Sequence, residues 1–159
     1  MVTHYVETGE LVSGKMGTAY IKINNETYEL ANLKEITATV ENTIVEEQVL
    51  GKTMNCHKVI GSNGNGTATF LFNQTTLRKF AEMFKDTGTY LYFDLVIENN
   101  DPSTTIGSQK VYLRNCCFKQ TVLARLDVSA TESLTEQGDF FFDDYVIEEP
   151  FTTDYKVNR

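Results

Sequence analysis

His4 and His57 are the two histidines of this 159-residue chain, and its three cysteines are Cys56, Cys116 and Cys117. Neither histidine has a Cys, His or carboxylate at the spacing that a metal site uses, and Cys56 beside His57 would point to the opposite face of a strand. A nucleophilic thiol needs a base within reach, and nothing marks such a pair here. The three thiols therefore read as reduced packing residues, since an odd number with an adjacent pair makes no disulfide framework. Asp143 and Asp144 pair two carboxylates, but neighbours on a strand face opposite ways and no loop of alternating oxygen ligands surrounds them. A solvated or interface face is the better reading of that pair.

The stretch "GSNGNGT" has the glycine density of a phosphate loop. Its last glycine is followed by Thr67 and Ala68 rather than by Lys and then Ser or Thr, and "SGKMG" near the start lacks the preceding strand. Tight turns explain these glycines better: Asn63-Gly64 or Asn65-Gly66 tolerates the positive φ that a hairpin turn requires. Three Asn-x-Ser/Thr triplets, at Asn25, Asn65 and Asn73, read as incidental.

Composition narrows the function class. Twenty-two acids against 14 lysines and arginines give a formal charge of −8, which disfavours tight nucleic-acid binding. The segment from Gln48 to Ala81 holds no acid but has Lys52, Lys58, Arg78 and Lys79, so a locally basic stretch sits on an acidic body. No apolar run approaches the roughly 20 residues that span a bilayer, and the first residues lack the basic start and apolar block of a secretory signal. One soluble domain over residues 1–159 is expected, folded in a cytoplasm with no membrane anchor.

Period-two alternation dominates and predicts a mainly β chain. A hairpin should turn at Asn24-Asn25. In "KEITATVEN", Ile36, Ala38 and Val40 share one face, and Glu35, Thr37, Thr39 and Glu41 the other. Strands are expected over "TATFLF", Thr89–Glu98, "QKVYLRNCCFK", Val122–Thr131 and "DFFFDDYVI". In Val122–Thr131, Val122, Ala124, Leu126, Val128 and Ala130 oppose Leu123, Arg125, Asp127, Ser129 and Thr131. One helix is expected in "NQTTLRKFAEMFKDTG", stopping at Gly88, with Leu77, Phe80, Ala81 and Phe84 buried against a sheet. Residues 1–12 read as an N-terminal arm and 150–159 as a C-terminal tail.

An ordered set of segments resembles the XkdM-like phage tail tube family: "SGKMG" (Ser13–Gly17), "GKTMNCHK" (Gly51–Lys58), "GSNGNGTATF" (Gly61–Phe70) and "RLDV" (Arg125–Val128). The resemblance runs from about Ser13 to Glu149. It departs in the first dozen residues, in Cys116-Cys117 and in the tail.

The resemblance implies a tail-tube β-barrel or sandwich with one flanking α-helix and a long protruding hairpin loop. It implies hexameric rings that stack into the hollow inner tube of a contractile phage tail or phage-tail-like bacteriocin, with no enzyme activity and no cofactor. The implied partners are other copies of the chain, a surrounding sheath, a tape measure protein and a baseplate, with DNA or ions passing through unbound. Residues 48–66 are expected to form an inter-subunit hairpin using Gly51, Lys52, Met54, His57, Lys58, Gly61, Asn63, Gly64 and Gly66. Glu35, Thr37, Thr39, Glu41, Arg125, Asp127, Ser129 and Thr131 are expected to face the lumen. The alternatives are a secretion-system tube subunit and a monomeric β-barrel that binds a small ligand.

Overall fold

The computed structural model describes residues 4–157, which fall into two compact units. The first unit comprises the described residues of Met1–Ala31, Phe93–Arg114 and Tyr145–Arg159. Strand β1 (Gly17–Ile23) pairs antiparallel with β2 (Glu26–Glu29) across the Asn24-Asn25 turn, and both asparagines have positive φ (49° and 66°), as a type I′ turn requires. On its other edge β1 pairs antiparallel with β5 (Phe93–Asn99), placing Ile21 opposite Leu95 and Ala19 opposite Ile97. Ala19, Ile21, Ile23, Leu30, Phe93, Leu95, Val96 and Leu113 are this unit's buried apolar residues. Strand β6 (Gln109–Phe118) follows β5 in the sheet, and β8 (Asp144–Glu149) pairs with β6.

Both chain ends are tied to the loop between β5 and β6. Asp101 accepts hydrogen bonds from the Ser13 amide (3.0 Å) and from the Ser103 amide and hydroxyl (3.0 and 2.7 Å). The amide of Thr105 donates to the Gly9 carbonyl at 2.7 Å. The amide of Thr152 donates to the Ile106 carbonyl at 2.9 Å, and the Tyr155 hydroxyl to Glu10 at 3.0 Å. Described parts of the expected arm and tail thus have defined contacts.

The second unit, Asn32–Tyr92 and Asn115–Asp144, is built on a long antiparallel hairpin of β3 (Leu33–Glu47) and β4 (Cys56–Leu71). Strand β7 (Thr135–Phe142) pairs antiparallel with the inner half of β4 and with the end of β6, giving the order β6-β7-β4-β3. The one α-helix among the described residues, α1 (Thr76–Thr87), ends on Gly88 at φ 74°, whose amide donates to the Phe84 carbonyl at 2.8 Å. The strand path ends on β2 in the first unit and on β3 in the second, and no pairing among the described residues closes it. Neither unit is a closed barrel, so neither has an enclosed barrel interior for a small ligand.

Four local expectations are corrected. First, the turn is not at Asn63-Gly64 or Asn65-Gly66, which lie inside β4 opposite Glu41 to Ala38. The chain reverses at 48–55, where Gly51 at φ 79° takes the third place of a turn closed by the Lys52 amide on the Val49 carbonyl.

Second, Val122–Thr131 is irregular rather than a strand, because both edges of the adjoining β7 are already occupied, by β4 and β6. Third, no residue of α1 is buried. Leu77 reaches a small gap lined by Phe70, Phe118 and Val122, while Phe84 is 49% exposed and meets the Tyr90 ring edge-on, at 5.7 Å between centroids. The run "DFFFDDYVI" is also two strands, divided at Asp143.

Candidate functional site

The β3–β4 hairpin is the feature that a lone subunit explains least. Its ladder runs without interruption by other elements from Leu33↔Phe70 to Glu47↔Cys56. Strand β7 supports it from Leu71 only as far as Gly64, opposite Phe142. Beyond that point, Glu41–Glu47 and their β4 partners form a two-stranded arm of about 20 Å, at roughly 3.3 Å per residue. Hardly any residue of the arm is shielded from solvent: Ile44 faces Val59 across the ladder, and both, with Ile60, are more than half exposed. At the tip Leu50 is fully exposed and Met54 nearly so. A free two-stranded ribbon is marginal in water, and an apolar cross-strand pair on one gains its burial from a partner surface.

A bulge shapes the arm. The register shifts between Thr43↔Gly61 and Ile44↔Val59, leaving Ile60 without an opposite residue. Near the tip Glu46 accepts a hydrogen bond from Asn55 at 3.0 Å and lies 3.3 Å from the His57 imidazole on the opposite strand. Glu41, Glu46 and Glu47 on β3 face a return strand and tip carrying Lys58 and Lys52, so the folded arm is of mixed sign and not the basic element that its second half suggests. Gly51, Lys52 and Met54 lie in the tip, and His57, Lys58, Gly61 and Asn63 in the arm.

Gly64 and Gly66 belong instead to the body of the sheet. A Cβ on Gly66 would overlap both the Phe140 ring and the Thr37 carbonyl, and one on Gly64 would overlap the Phe142 ring. The two glycines therefore make room for two aromatic side chains of β7, which lie directly opposite them in the ladder. Phe140 and Phe142 are buried, and Phe118 packs edge-on against Phe140 at 6.2 Å and against Phe70 at 6.3 Å.

The other face of the same sheet is polar apart from Phe141, which stands exposed opposite Asn65. Glu35, Thr37, Thr39 and Glu41 of β3 stand opposite Thr69, Thr67, Asn65 and Asn63 of β4, and Gln137 and Asp139 of β7 extend the rows through Thr69 and Thr67. Glu35, Thr37, Thr39 and Glu41 are exposed. Arg125, Asp127, Ser129 and Thr131 are exposed too, but on the irregular segment. Arg125 donates to the Thr135 carbonyl at 2.7 Å, and Asp127 accepts from the Ser129 amide and hydroxyl at 3.0 and 2.8 Å, which lowers its pKa.

Sequence reasoning missed the clamp that holds that segment. Arg78 of α1 pairs with Glu136 of β7 at 2.7 Å, donates through Nε to the Val122 carbonyl at 2.9 Å, bonds the Gln74 carbonyl, and lies 4.1 Å from the centre of the Phe72 ring. Glu136 sits at an inward position of an alternating strand, the one sign available beforehand. Also missed were Leu123, Leu126 and Val128, exposed by 72%, 98% and 106%. Among the described residues no cluster of three or more His, Cys, Asp or Glu could hold a metal ion, and no helix is long and apolar enough to cross a membrane.

The sequence of residues 4–149 matches a family described as phage tail tube protein. The chain is 34% identical over 141 residues to the phage-like element PBSX protein XkdM of Bacillus subtilis strain 168, covering 87% of this chain and 90% of that protein. A second protein of the same strain, YqbM, is 32% identical over 138 residues with the same coverage. Among solved structures, the fold is similar to a chain of the anti-feeding prophage baseplate (TM-score 0.65, 13% identity, 92% of this chain and 97% of that one). It is also similar to a chain of the sheath–tube complex of the PVC extracellular contractile injection system in its extended state (TM-score 0.62, 10% identity, 92% and 93%). A family match over nearly the whole length, with two relatives above 30% identity, establishes that the chain belongs to the phage tail tube protein family.

Proposed function

We propose that this protein is the repeating subunit of the inner tube of a contractile phage tail or phage-tail-like particle, forming hexameric rings that stack into a hollow conduit. The observation that carries the reading is the β3–β4 arm: an extended ribbon with exposed apolar residues, on a family member that has a sheet of its own to fold around. In a tube the arm gains a second copy to dock on, and its apolar pair is covered. The polar face of Glu35, Thr37, Thr39 and Glu41 is assigned to the lumen, where a hydroxyl and carboxylate surface passes DNA without the cationic contacts that would hold it. A sheath around the tube, a baseplate and a tape measure protein at its ends, and assembly in the bacterial cytoplasm complete the reading. The similar chains in a baseplate and in a sheath–tube complex support it.

The test is assembly. Purified protein is expected to form hollow tubes under negative stain. Replacing Ile44–Ile60 by a two-residue Asn-Gly turn, which keeps the ladder from Gly64 to Leu71 against β7, is expected to give a folded, soluble protein that forms no tubes. Normal tubes from that variant would remove the docking role of the arm.

A further inference from the structure

Val122–Thr131 alternates at the strand period over ten residues, yet in the subunit it is irregular and holds Leu126 and Val128 almost wholly in solvent. The same unit contains an edge that lacks what this segment would supply: β3 extends over 15 residues, and among the described residues no strand pairs with its outer edge. From these two facts, and resting on the tube reading above, we infer that residues Leu123–Thr131 become a strand on assembly, pairing with the β3 outer edge of a neighbouring copy.

The strand order fixes the kind of contact. Residues 119–134 connect β6 to β7, inside the strand order, whereas the free edge of β3 is an end of it. The segment of one copy thus meets a different part of the chain, the β3 edge, in the next. Such a contact is heterologous, and a heterologous contact whose rotation closes makes a ring. Donating a strand to an exposed edge satisfies the edge amides and carbonyls of β3 that a lone subunit leaves to water.

The side chains agree with this partner. The alternation puts Ala124, Leu126, Val128 and Ala130 on one face and Arg125, Asp127, Ser129 and Thr131 on the other, with the exposed Leu123 at the start of the second face. These match the Ile36, Ala38 and Val40 face and the Glu35, Thr37, Thr39 and Glu41 face of β3. Arg125 would exchange the Thr135 carbonyl for the carboxylates of Glu35 or Glu41, a charge complement that β3 alone lacks on this face. The bonds given up are local: the two from Ser129 to Asp127, the long Ala130 amide contact with the Asp127 carbonyl at 3.4 Å, and the Arg125 bond. Val122 stays anchored, because its carbonyl is held by Arg78. The four predicted lumen residues of this segment would then continue the polar face of β3 into the next subunit.

Hydrogen exchange separates the possibilities. In the monomer, amides of Leu123–Thr131 are expected to exchange within the fastest-exchanging set. In assembled tubes they are expected to slow by at least a hundredfold, together with the outer-edge amides of Glu35–Glu41. Tubes prepared from a mixture of 13C-labelled and 15N-labelled subunits should show contacts between residues 123–131 and 33–47 of different copies. Leu126→Pro, which removes one ladder donor from a solvent-exposed site, should leave the monomer's melting temperature unchanged and abolish rings. Tubes in which 123–131 still exchanges fast, or in which its contacts are to other residues, would overturn the strand; so would normal tubes from Leu126→Pro. A wild-type protein that forms no rings or tubes at all overturns the tube reading itself, which the first two outcomes leave standing.

Discussion

Arg78 and Glu136 form a nearly buried ion pair of 2.7 Å between the helix and the third strand of the second unit's sheet, with the guanidinium stacked on Phe72 and bonded to the Val122 carbonyl. One side chain thus fastens three elements. Burial raises the Glu136 pKa above its ordinary 4.5, and Arg78 offsets part of the rise. With the folded value above the unfolded one, the contribution of Glu136 to stability is greatest in acid and declines as pH climbs from about 4.5 through the folded value.

Arg78→Met keeps much of the packing on Phe72 but leaves the carboxylate buried alone. The expected cost is about 3–5 kcal/mol at pH 7, shrinking toward pH 4.5 as Glu136 takes up its proton. Urea unfolding at several pH values reads this directly. An equal loss at both ends of that range would mean that packing, and not the uncompensated charge, is what the substitution removes.

The glycines of β4 give a second, sharper prediction. Gly66→Ala drives a Cβ into a ring and a backbone carbonyl, and overpacking of this kind costs about 1–3 kcal/mol or more. The atoms nearest the added carbon of Gly64→Ala all belong to the Phe142 ring, so pairing it with Phe142→Leu should cost less than the sum of the two single changes. Gly61→Ala, with nothing within 4 Å of its added carbon, should be nearly neutral. Additive losses for the Gly64 and Phe142 pair in thermal unfolding would show that the two side chains do not share the space.

These glycines mark the limit of what the chain reveals in one dimension. Asn-Gly pairs are turn residues by local conformation, and the Asn24-Asn25 hairpin behaves as local chemistry says. Gly64 and Gly66 are dictated by Phe142 and Phe140, more than seventy residues away, and no local rule carries that information. The helix was legible in its bounds, since Gly88 and the spacing of Leu77, Phe80 and Ala81 act within one element. Its burial was not, because a hydrophobic stripe looks the same whether the surface that covers it is intramolecular or belongs to a partner. The polar face from Glu35 to Glu41 was readable from alternation alone, whereas the strand expected at Val122–Thr131 adjoins β7, both of whose edges are already taken, by β4 and β6.

In the first unit Asp101 is the group whose titration matters. Its pKa is lowered, chiefly by the Ser103 hydroxyl and then by the Ser13 and Ser103 amides. A folded value below the unfolded 3.8 means that its stabilisation is present above about pH 3.8 and is lost as pH falls through the lower folded value. Asp101→Asn should therefore be less stable than the wild type at neutral pH, with the difference narrowing below pH 3.8. Because the Ser13 amide is one of the donors, limited proteolysis should also cut the variant faster near Ser13. A stability gap that stays constant into acid would show that shape rather than charge holds this loop.

The polar face offers the test of what the conduit does. Thr37 is exposed, stands opposite Thr67, and lies among Thr39, Asn65 and Asp139. If this face lines the lumen, Thr37→Lys places a ring of added cations around every layer of the tube without touching the buried Ala68 and Phe70 on the opposite face of the sheet. Tubes should form as before, and DNA should leave particles built from the variant more slowly, with the delay shrinking as salt rises, because each phosphate contact releases counterions. Thr37→Gln, of similar length and no charge, should restore normal release. Unchanged release from Thr37→Lys tubes of confirmed composition would argue that electrostatics plays no part in transit. Failure of Thr37→Lys to assemble, with Thr37→Gln assembling normally, would place Thr37 at a contact between subunits and move the lumen to another face of the chain.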